Sequence, residues 1–523
     1  MDFVVIPVLN FLKTIWTGIR EFVRLNSGYI EILVRASRNP GLPVLSPTRS
    51  YWLENPPFPH LVNIRSDRLS SETDIVVIGS GITGVAVART LLLEAERKKE
   101  TKRVVVLEAR QICSGATGRN GGHIKAPTYD GLALLRKRFS VQRAAELVRF
   151  QAKHLEVLTR LCQQERIDVA ECREVETVDL FMDENLFIKA QKQVEDCRHI
   201  VPEVPLKIWR EEKAKEVSNF HVGDHVCGAI SYKSGALWPY RFVTSIWNDL
   251  TKRFPSTLSI ETDTPVESID VDEANSHPFK VHTPRGELRC RHVVHANNAF
   301  ASHLIPGLKS KMTGLRAHMS AQRPGIEFED CKGDRSWSFI YTNGFDYITQ
   351  RPSSEAEPGD LMIGGGFFRS PKAGLDQFGI WDDSKIEPMT MTHLNGILPT
   401  VFGAHWGPDA REGRLKQIWS GIICYTADIL PYVGKLDHRL TSRKTKQKDA
   451  TEWISAGYHG DGMVQAWLCG TALGLMMSDS ENEVLEERPG IPGGTLAEWF
   501  PHEMLITHKR IQRANLADIA DEI

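Results

Sequence analysis

The residues best suited to chemistry in this chain are glycines set between apolar strands and a single acid. The run Asp74-Ile-Val-Val-Ile-Gly79-Ser-Gly81-Ile82-Thr83-Gly84 is followed by Val104-Val-Val-Leu-Glu108. Ile75 to Ile78 are all β-branched and predict a buried parallel strand with no polar alternation. Gly79 permits a tight turn, Gly81 admits a pyrophosphate against bare backbone, and Gly84 lets the next helix pack closely on the sheet. The free N–H groups and positive end of that helix then face phosphate oxygens. Glu108 falls 24 residues after Gly84, where a carboxylate accepts hydrogen bonds from a ribose diol. The set predicts dinucleotide binding, and leaves open which dinucleotide.

A second glycine group lies near the carboxyl end. Trp419-Ser-Gly421 leads through Asp428 to Gly434, and Trp453-Ile-Ser-Ala-Gly457-Tyr-His459-Gly460-Asp461-Gly462-Met463 precedes an apolar run from Val464 to Met477. The pattern is again strand, glycine loop, helix. Gly460 and Gly462 free backbone N–H groups where a ring that becomes anionic on reduction is stabilised. Four side chains are candidates for substrate chemistry. Tyr347 and Arg351 lie on a candidate strand, Phe345-Asp-Tyr-Ile-Thr-Gln-Arg351, from which an arginine clamps a carboxylate bidentately or simply faces solvent. His459 either moves a proton near neutral pH or is a loop histidine bonded to backbone, and His123 is a weaker candidate of the same kind.

These residues need two kinds of element to hold them. Strands alternate with helices at both ends of the chain around a β-rich middle, which predicts an α/β fold with a second, antiparallel-sheet domain inserted. Leu132 to Glu165 and Glu184 to His199 carry helical periodicity. Glu176 to Met182, Leu206 to Ile208, Leu258 to Val266, Phe279 to Gly286, Arg291 to Asn297 and several stretches of Ser336 to Phe368 read as strands. The expected division is 1–70 for an amphipathic helix and Pro-rich linker. Residues 71–130, 226–305 and 411–480 form the nucleotide-binding domain, 131–225 and 306–410 the substrate domain, and 481–523 a C-terminal extension.

At 523 residues the chain holds two substantial cores, and 41% hydrophobic with 25% charged residues is ordinary for a globular protein. A formal net charge of −2 gives no expectation of nucleic acid as a partner. Nine scattered cysteines predict neither a disulfide framework nor a metal site, and fit an intracellular location. The basic run Arg439 to Lys448 reads as a solvated loop. From Val8 to Val23 apolar and polar residues share opposite helical faces, with Trp16, Arg20 and Arg24 suited to a membrane interface. The run is too interrupted for a confident span, and a helix docked on the protein's own core or a presequence fits the same pattern. Pro40 to Pro59 reads as an extended linker or a strap.

Taken together, Gly79 to Gly84, Glu108, the run Cys113-Ser-Gly115-Ala-Thr-Gly118-Arg-Asn120-Gly-Gly122, Thr264-Pro-Val266 and the two carboxyl-terminal motifs resemble the D-amino-acid oxidase superfamily of FAD-dependent oxidoreductases. The Gly-Ala-Thr-Gly-Arg-Asn-Gly-Gly run is most similar to its gamma-glutamylputrescine oxidase-like branch, and the layout to fungal members of that type. The resemblance covers roughly residues 46 to 510 and implies a Rossmann-like FAD-binding domain with an inserted antiparallel-sheet substrate domain. It puts the pyrophosphate at Gly79, Gly81, Ile82, Thr83 and Gly84, the ribose at Glu108, and the adenine side at Arg110 and Val266. Ser114, Gly115, Ala116, Thr117, Gly118, Arg119, Asn120, Gly121 and Gly122 then follow the pyrophosphate and flavin edge. Gly421, Asp428, Gly434, Gly460, Asp461, Gly462 and Met463 surround the isoalloxazine.

The activity so implied is oxidation of a C–N bond in a small-molecule amine or amino acid by hydride transfer to flavin N5, with oxygen as the expected acceptor. Two positions depart from the sarcosine oxidase branch. Its flavin-linking cysteine matches Gly421, with Cys424 three residues on, and its oxygen-activating lysine matches Met362. The first argues against a covalent flavin and the second leaves a dehydrogenase open. An FAD enzyme acting on a C–OH or C–C bond and a non-catalytic flavin-binding scaffold at a membrane are the alternatives.

Overall fold

The computed structural model describes residues 30–210, 217–355 and 357–521, so the amphipathic pattern of Val8 to Val23 lies outside the described residues. Two sheets organise the fold. The first contains β1 (Glu72–Ile78), β2 (Val104–Leu107), β7 (Leu258–Glu261), β8 (Ser268–Val271), β9 (Phe279–Thr283), β10 (Gly286–His295), β16 (Tyr432–Lys435) and β17 (Thr451–Ala456). The second contains β3 (His123–Ile124), β4 (Arg173–Phe181), β5 (Lys207–Arg210), β6 (Gly228–Ala236), β11 (Met312–Gln322), β12 (Arg335–Tyr341), β13 (Gly344–Gln350), β14 (Leu361–Gly365) and β15 (Leu415–Thr426).

In the first sheet the order is β16-β17-β10-β1-β2-β7, and β7, β2, β1, β10 and β17 run parallel. Ile75 to Ile78 pair with Val104 to Leu107 on one side and His292 to His295 on the other, so the apolar run is the centre of the sheet. Helix α1 (Ile82–Lys98) connects β1 to β2, while β10 on the other flank arrives from far along the chain. The strand order therefore reverses beside β1. The carboxyl ends there are Ile78, Leu107 and His295, the crevice where open α/β sheets bind ligands.

The helix Ala466–Met477 packs across α1 through small residues. A Cβ on Gly470 would lie 2.8 Å from Ala86 Cβ, and one on Gly474 2.6 Å from Thr90 Cβ, so glycine lets the two helices approach. This contact joins the two ends of the nucleotide-binding unit.

The second sheet runs β15-β11-β14-β13-β12-β4-β6-β3, with β5 on β6, and every pairing is antiparallel except β4 with β12. Its two faces are sorted by the period of two. Leu361 and Ile363 enter a core with Trp337, Phe339 and the helix Pro388–Phe402, whereas Met362 joins Met319, Ala321 and Trp419 on the face toward the first sheet. The latter face carries the site.

Leu132 to Glu165, open in sequence to one long helix or two shorter ones, is two helices, α2 (Tyr129–Leu135) and α3 (Val141–Gln164), because Ser140 caps a new start with Oγ accepting from Arg143 N at 3.4 Å. Two expectations need correction. The Leu258 strand stops at Glu261 and pairs in parallel with β2, so it forms no hairpin with Phe279. Thr264 to Val266 is irregular, since Pro265 has no N–H and the Thr262 and Thr264 hydroxyls bond nearby carbonyls.

The Pro-rich segment is a strap. Ser50 Oγ donates to Gly118 O at 2.7 Å, Trp52 Nε1 to Asn120 O at 2.5 Å, and Trp238 Nε1 to Trp52 O at 2.7 Å. Among the described residues no helix is long and apolar enough to cross a membrane.

Candidate active site

The turn after β1 is constrained by its neighbours as well as by its own glycines. Gly79 has φ +108, and a side chain there would press on Ala296 O at 2.8 Å. A Cβ on Gly84 would collide with the Gly79 carbonyl, which fixes how closely α1 meets the strand. Gly81 caps α1 with no side-chain hydrogen bond of its own, at a helix N-terminus of the kind that receives anions. Thr117 Oγ1 accepts from Ile82 N at 3.0 Å, so the Cys113–Gly122 run is tied directly to the phosphate turn.

Glu108 stands at the carboxyl end of β2 as expected of a ribose acid. Its carboxylate accepts from Ser80 Oγ at 2.6 Å, Ser80 N at 3.1 Å and Arg110 N at 3.1 Å. Thr264 N donates to Glu108 O at 2.8 Å and Asp263 N to Arg110 O at 3.0 Å, bringing the segment before Val266 alongside. The Arg110 guanidinium itself is buried against Asp383 at 3.0 Å. Asp383 also lies 3.4 Å from Arg119 Nε, which donates to Ser114 O at 2.9 Å, while the Nη1 and Nη2 donors reach Ser420 O and Thr48 O. Burial lowers Arg119 to about 10 despite Asp383. These two arginines brace the strap and the 114–122 run against β15, and Gly421 sits directly on Arg119.

The second glycine loop is joined to the first by a buried hydroxyl chain. Tyr458 OH is 2.8 Å from Thr83 Oγ1 and 2.9 Å from Ser455 Oγ. Asn298 Oδ1 accepts from Gly457 N at 2.9 Å, linking the ends of β10 and β17. Gly462–Val464 forms a 3-10 turn ahead of the Ala466–Met477 helix. A Cβ on Gly115 or Gly462 would meet nothing within 4 Å, so both border open space. Asp428 and Gly434 are not brought to this loop. Asp428 is paired with Arg510 at 2.7 Å, and Gly434 lies against Leu505 and Ile506.

The substrate sheet closes the other side. Tyr347, Thr349 and Arg351 project from β13 and the residue following it with the spacing of one face. Tyr347 covers Gly121 so closely that a side chain there would collide with its ring, and its OH donates to Met319 Sδ at 3.3 Å. Burial raises its phenol to about 12, so it stays protonated. Thr349 Oγ1 donates to Gly121 O at 3.2 Å. Arg351 is engaged by Glu171 at 2.6 Å, donates to Tyr51 OH at 2.7 Å, and lies over the Trp238 ring at 4.4 Å. A carboxylate clamp there would have to displace Glu171.

His459 has φ +49, its ring centroid is 4.5 Å from that of Tyr425, and its Nδ1 accepts from Thr426 N at 3.3 Å. His123 is 6.0 Å from the Tyr347 ring, and burial, Lys125 and Arg173 drive its imidazole well below 6.5, so it is neutral. Asp461 is pushed up to about 7 by burial and by Asp130. Cys424 points into the apolar cluster of Met312, Ile422 and Tyr432, and Met362 is fully buried. Ser80 and Tyr458 were not anticipated as site residues. Each lies inside a glycine motif, Ser80 in the first and Tyr458 in the second.

Two glycine turns and an acid at the end of β2, beside a second, antiparallel sheet, form a Rossmann-like nucleotide-binding arrangement. Residues 74–474 match the family described as FAD dependent oxidoreductase, and the chain belongs to it. Gamma-glutamylputrescine oxidoreductase of Escherichia coli (strain K12) is 21% identical over 416 residues, 78% of this chain and 84% of that protein. Among solved structures, glycine oxidase from Geobacillus kaustophilus superposes with a TM-score of 0.59 at 16% identity, covering 84% of this chain and 99% of that one. L-proline dehydrogenase from P. horikoshii gives 0.58 at 20% identity, covering 79% and 96%. These structures establish the shared fold.

The residues present fit FAD. The α1 start and Gly81 would receive the pyrophosphate, Glu108 the adenosine ribose, and the open space beside Gly115 and Gly462 the remainder of the group.

Proposed function

We propose that this FAD-dependent oxidoreductase oxidises a C–N bond of a small amine or amino acid, with oxygen as the acceptor. The observation that carries the reading is the junction of the two glycine loops, through Thr83 and Tyr458, with the second loop's turn against β3, whose His123 meets Tyr347. Bound FAD accepts the hydride from the carbon next to nitrogen. As that C–H bond breaks, the nitrogen lone pair forms a C=N bond, the nitrogen gives up a proton, and water later hydrolyses the imine. The names of the similar proteins support the choice of bond: glycine oxidase, L-proline dehydrogenase and gamma-glutamylputrescine oxidoreductase are all named for nitrogen-bearing substrates.

The chain's own residues supply shape and protonation state. Tyr347 stays protonated and keeps an O–H at the wall, while neutral His123 presents an acceptor to an N–H. The strap through Trp52 excludes water from the 118–122 run. Met362 favours a second reading, a dehydrogenase using another acceptor, because a buried thioether places no positive charge to assist reduction of oxygen. Anaerobic mixing with a panel of amines and amino acids tests both. Flavin bleaching by one of them supports C–N oxidation, and no bleaching by any overturns it. Rapid recolouring in air with peroxide release marks an oxidase, and slow recovery a dehydrogenase. The pattern of Val8 to Val23 supports contact with a membrane surface, tested by whether removing residues 1–29 changes partitioning.

A further inference from the structure

We propose that a basic groove between β16 and the C-terminal helix His508–Arg513 is a docking surface for an anionic phospholipid membrane. The inference rests on the membrane contact read from Val8 to Val23, and names the lipid class and the side chains that meet it. Lys435 on β16, most of the stretch 437–448 and the segment 506–509 border one open space of about 860 Å³. The basic run Arg439 to Lys448 is therefore folded around a concave surface rather than spread as a loop.

The charges of this groove do not cancel. Its two carboxylates are each taken by one of its two arginines. Arg439 donates to Asp437 at 2.5 Å and 2.9 Å, and Arg443 to Glu452 at 2.7 Å and 2.8 Å. Four lysines remain, Lys435, Lys444, Lys448 and Lys509, all exposed and none with a side-chain partner among the described residues. Just outside the lining, exposed Lys446 offsets exposed Asp449, and Glu273 accepts from Lys446 N at 2.9 Å. A positive surplus thus sits on a chain whose net charge is −2. The four free donors are long, mobile ammonium groups in solvent, which form a broad field rather than a cradle shaped to one small anion. A fluid layer of anionic headgroups matches that field.

A separate observation puts an apolar surface beside it. Residues 30–36 are helical, and Ile32, Leu33 and Ala36 pack in one cluster with Ala514 and Leu516, directly after the helix that carries Lys509. The same segment is tied to the groove's other flank. His303 Nδ1 is 3.0 Å from Asn39 Oδ1, and the next residue's carbonyl, Leu304 O, accepts from Arg443 at 2.8 Å. What this segment turns outward is apolar: Ile30 and Val34, one helical turn apart, are 58% and 53% exposed, and Leu45 is 86% exposed. Ahead of it in sequence comes the amphipathic pattern of Val8 to Val23, with Lys13, Arg20 and Arg24. Apolar side chains enter the acyl boundary while neighbouring lysines meet the headgroups, so the two features serve one interface.

The test is flotation of the full-length, FAD-loaded enzyme with vesicles of phosphatidylcholine, alone or mixed with about three-tenths phosphatidylserine. Binding should be about tenfold or more tighter to the mixed vesicles at about 0.1 M salt, and that gain should vanish at about 1 M salt. Lys435→Gln, Lys444→Gln, Lys448→Gln and Lys509→Gln, made together, should remove the gain. Flavin content and thermal midpoint should stay unchanged, because none of the four side chains has a partner to lose. The same charge removed elsewhere, through Lys189→Gln, Lys192→Gln, Lys252→Gln and Lys332→Gln, should leave the gain intact. Mixed vesicles should also shield the four groove lysines from acetylation, read by mass spectrometry. Equal loss in both fourfold variants would reduce the effect to net charge and overturn the groove. Equal binding to neutral and mixed vesicles would overturn it too, while leaving the membrane contact of Val8 to Val23 standing. No binding to either kind overturns both. Shielding by inorganic pyrophosphate but not by vesicles would make the groove a soluble-anion site, against the proposal.

Discussion

Glu108 gathers three donors from two turns, Ser80 N, Ser80 Oγ and Arg110 N, and so holds both the first glycine turn and the end of β2. A ribose diol adds to that set rather than replacing it, because a carboxylate has about four lone-pair directions. Glu108→Gln keeps the shape but removes the charge that strengthens each bond. We expect about tenfold weaker FAD binding, in line with about 1–2 kcal/mol for losing a charge-assisted hydrogen bond, with the apoprotein still folded. Fluorescence titration of deflavinated protein measures it, and unchanged affinity would remove Glu108 from the cofactor site. This residue was legible in sequence because its strand and spacing are local. Arg351 was legible as a residue but not as an ion pair, because Glu171 reaches it across 180 positions.

At the scale of elements, glycine does two separate jobs that substitution can distinguish. Gly470 and Gly474 let the Ala466–Met477 helix lie against α1, and a methyl on Gly470 would meet Ala86 Cβ at 2.8 Å and Thr83 O at 2.9 Å. Gly470→Ala should therefore lower the thermal midpoint, with an overpacking cost of about 1–3 kcal/mol. A methyl on Gly462 meets no protein atom within 4 Å, so Gly462→Ala should leave the apoprotein midpoint near that of the parent and reduce flavin content. Melting curves and the flavin-to-protein absorbance ratio separate the two. Equal loss of stability in both would show that the loop, like the helix pair, is closed by protein contacts. The parallel strands and the long helices were readable from periodicity, which is a property of neighbouring residues. The break at Ser140 and the irregular Thr264–Val266 segment depend on a cap and on a proline beside a crowded turn, so local pattern described them poorly.

Across the whole molecule, one buried cluster joins parts of the chain that are far apart in sequence. Glu452 on β17 accepts from Arg443 Nη2 at 2.7 Å and from His295 Nε2 on β10 at 2.9 Å, and Arg443 also donates to Leu304 O. The three side chains hold the central sheet to the carboxyl-terminal third, beside the crevice that receives the cofactor. Burial opposes charge on Glu452, but His295 and Arg443 outweigh it and hold the carboxyl down at about 2. Burial keeps His295 below 6.5 even with Glu452 beside it, and its Nδ1 has no partner, as suits a neutral ring donating through Nε2. Both groups bind protons more readily when unfolded, so acid favours unfolding through each. The His295 contribution is lost first, as pH falls below 6.5; the Glu452 contribution is present above 4.5 and is lost as pH falls toward about 2. The Glu452 shift corresponds to about 3 kcal/mol at neutral pH. Glu452→Gln should lower stability at pH 7 by about 3–5 kcal/mol, because it leaves the buried Arg443 charge unpaired. It should also flatten the decline between pH 5 and pH 3, where the unfolded parent protonates Glu452 while the folded parent does not. Thermal midpoints of parent and variant across pH 7 to 3 test the pair of effects, and parallel acid slopes would mean that the destabilising proton goes elsewhere.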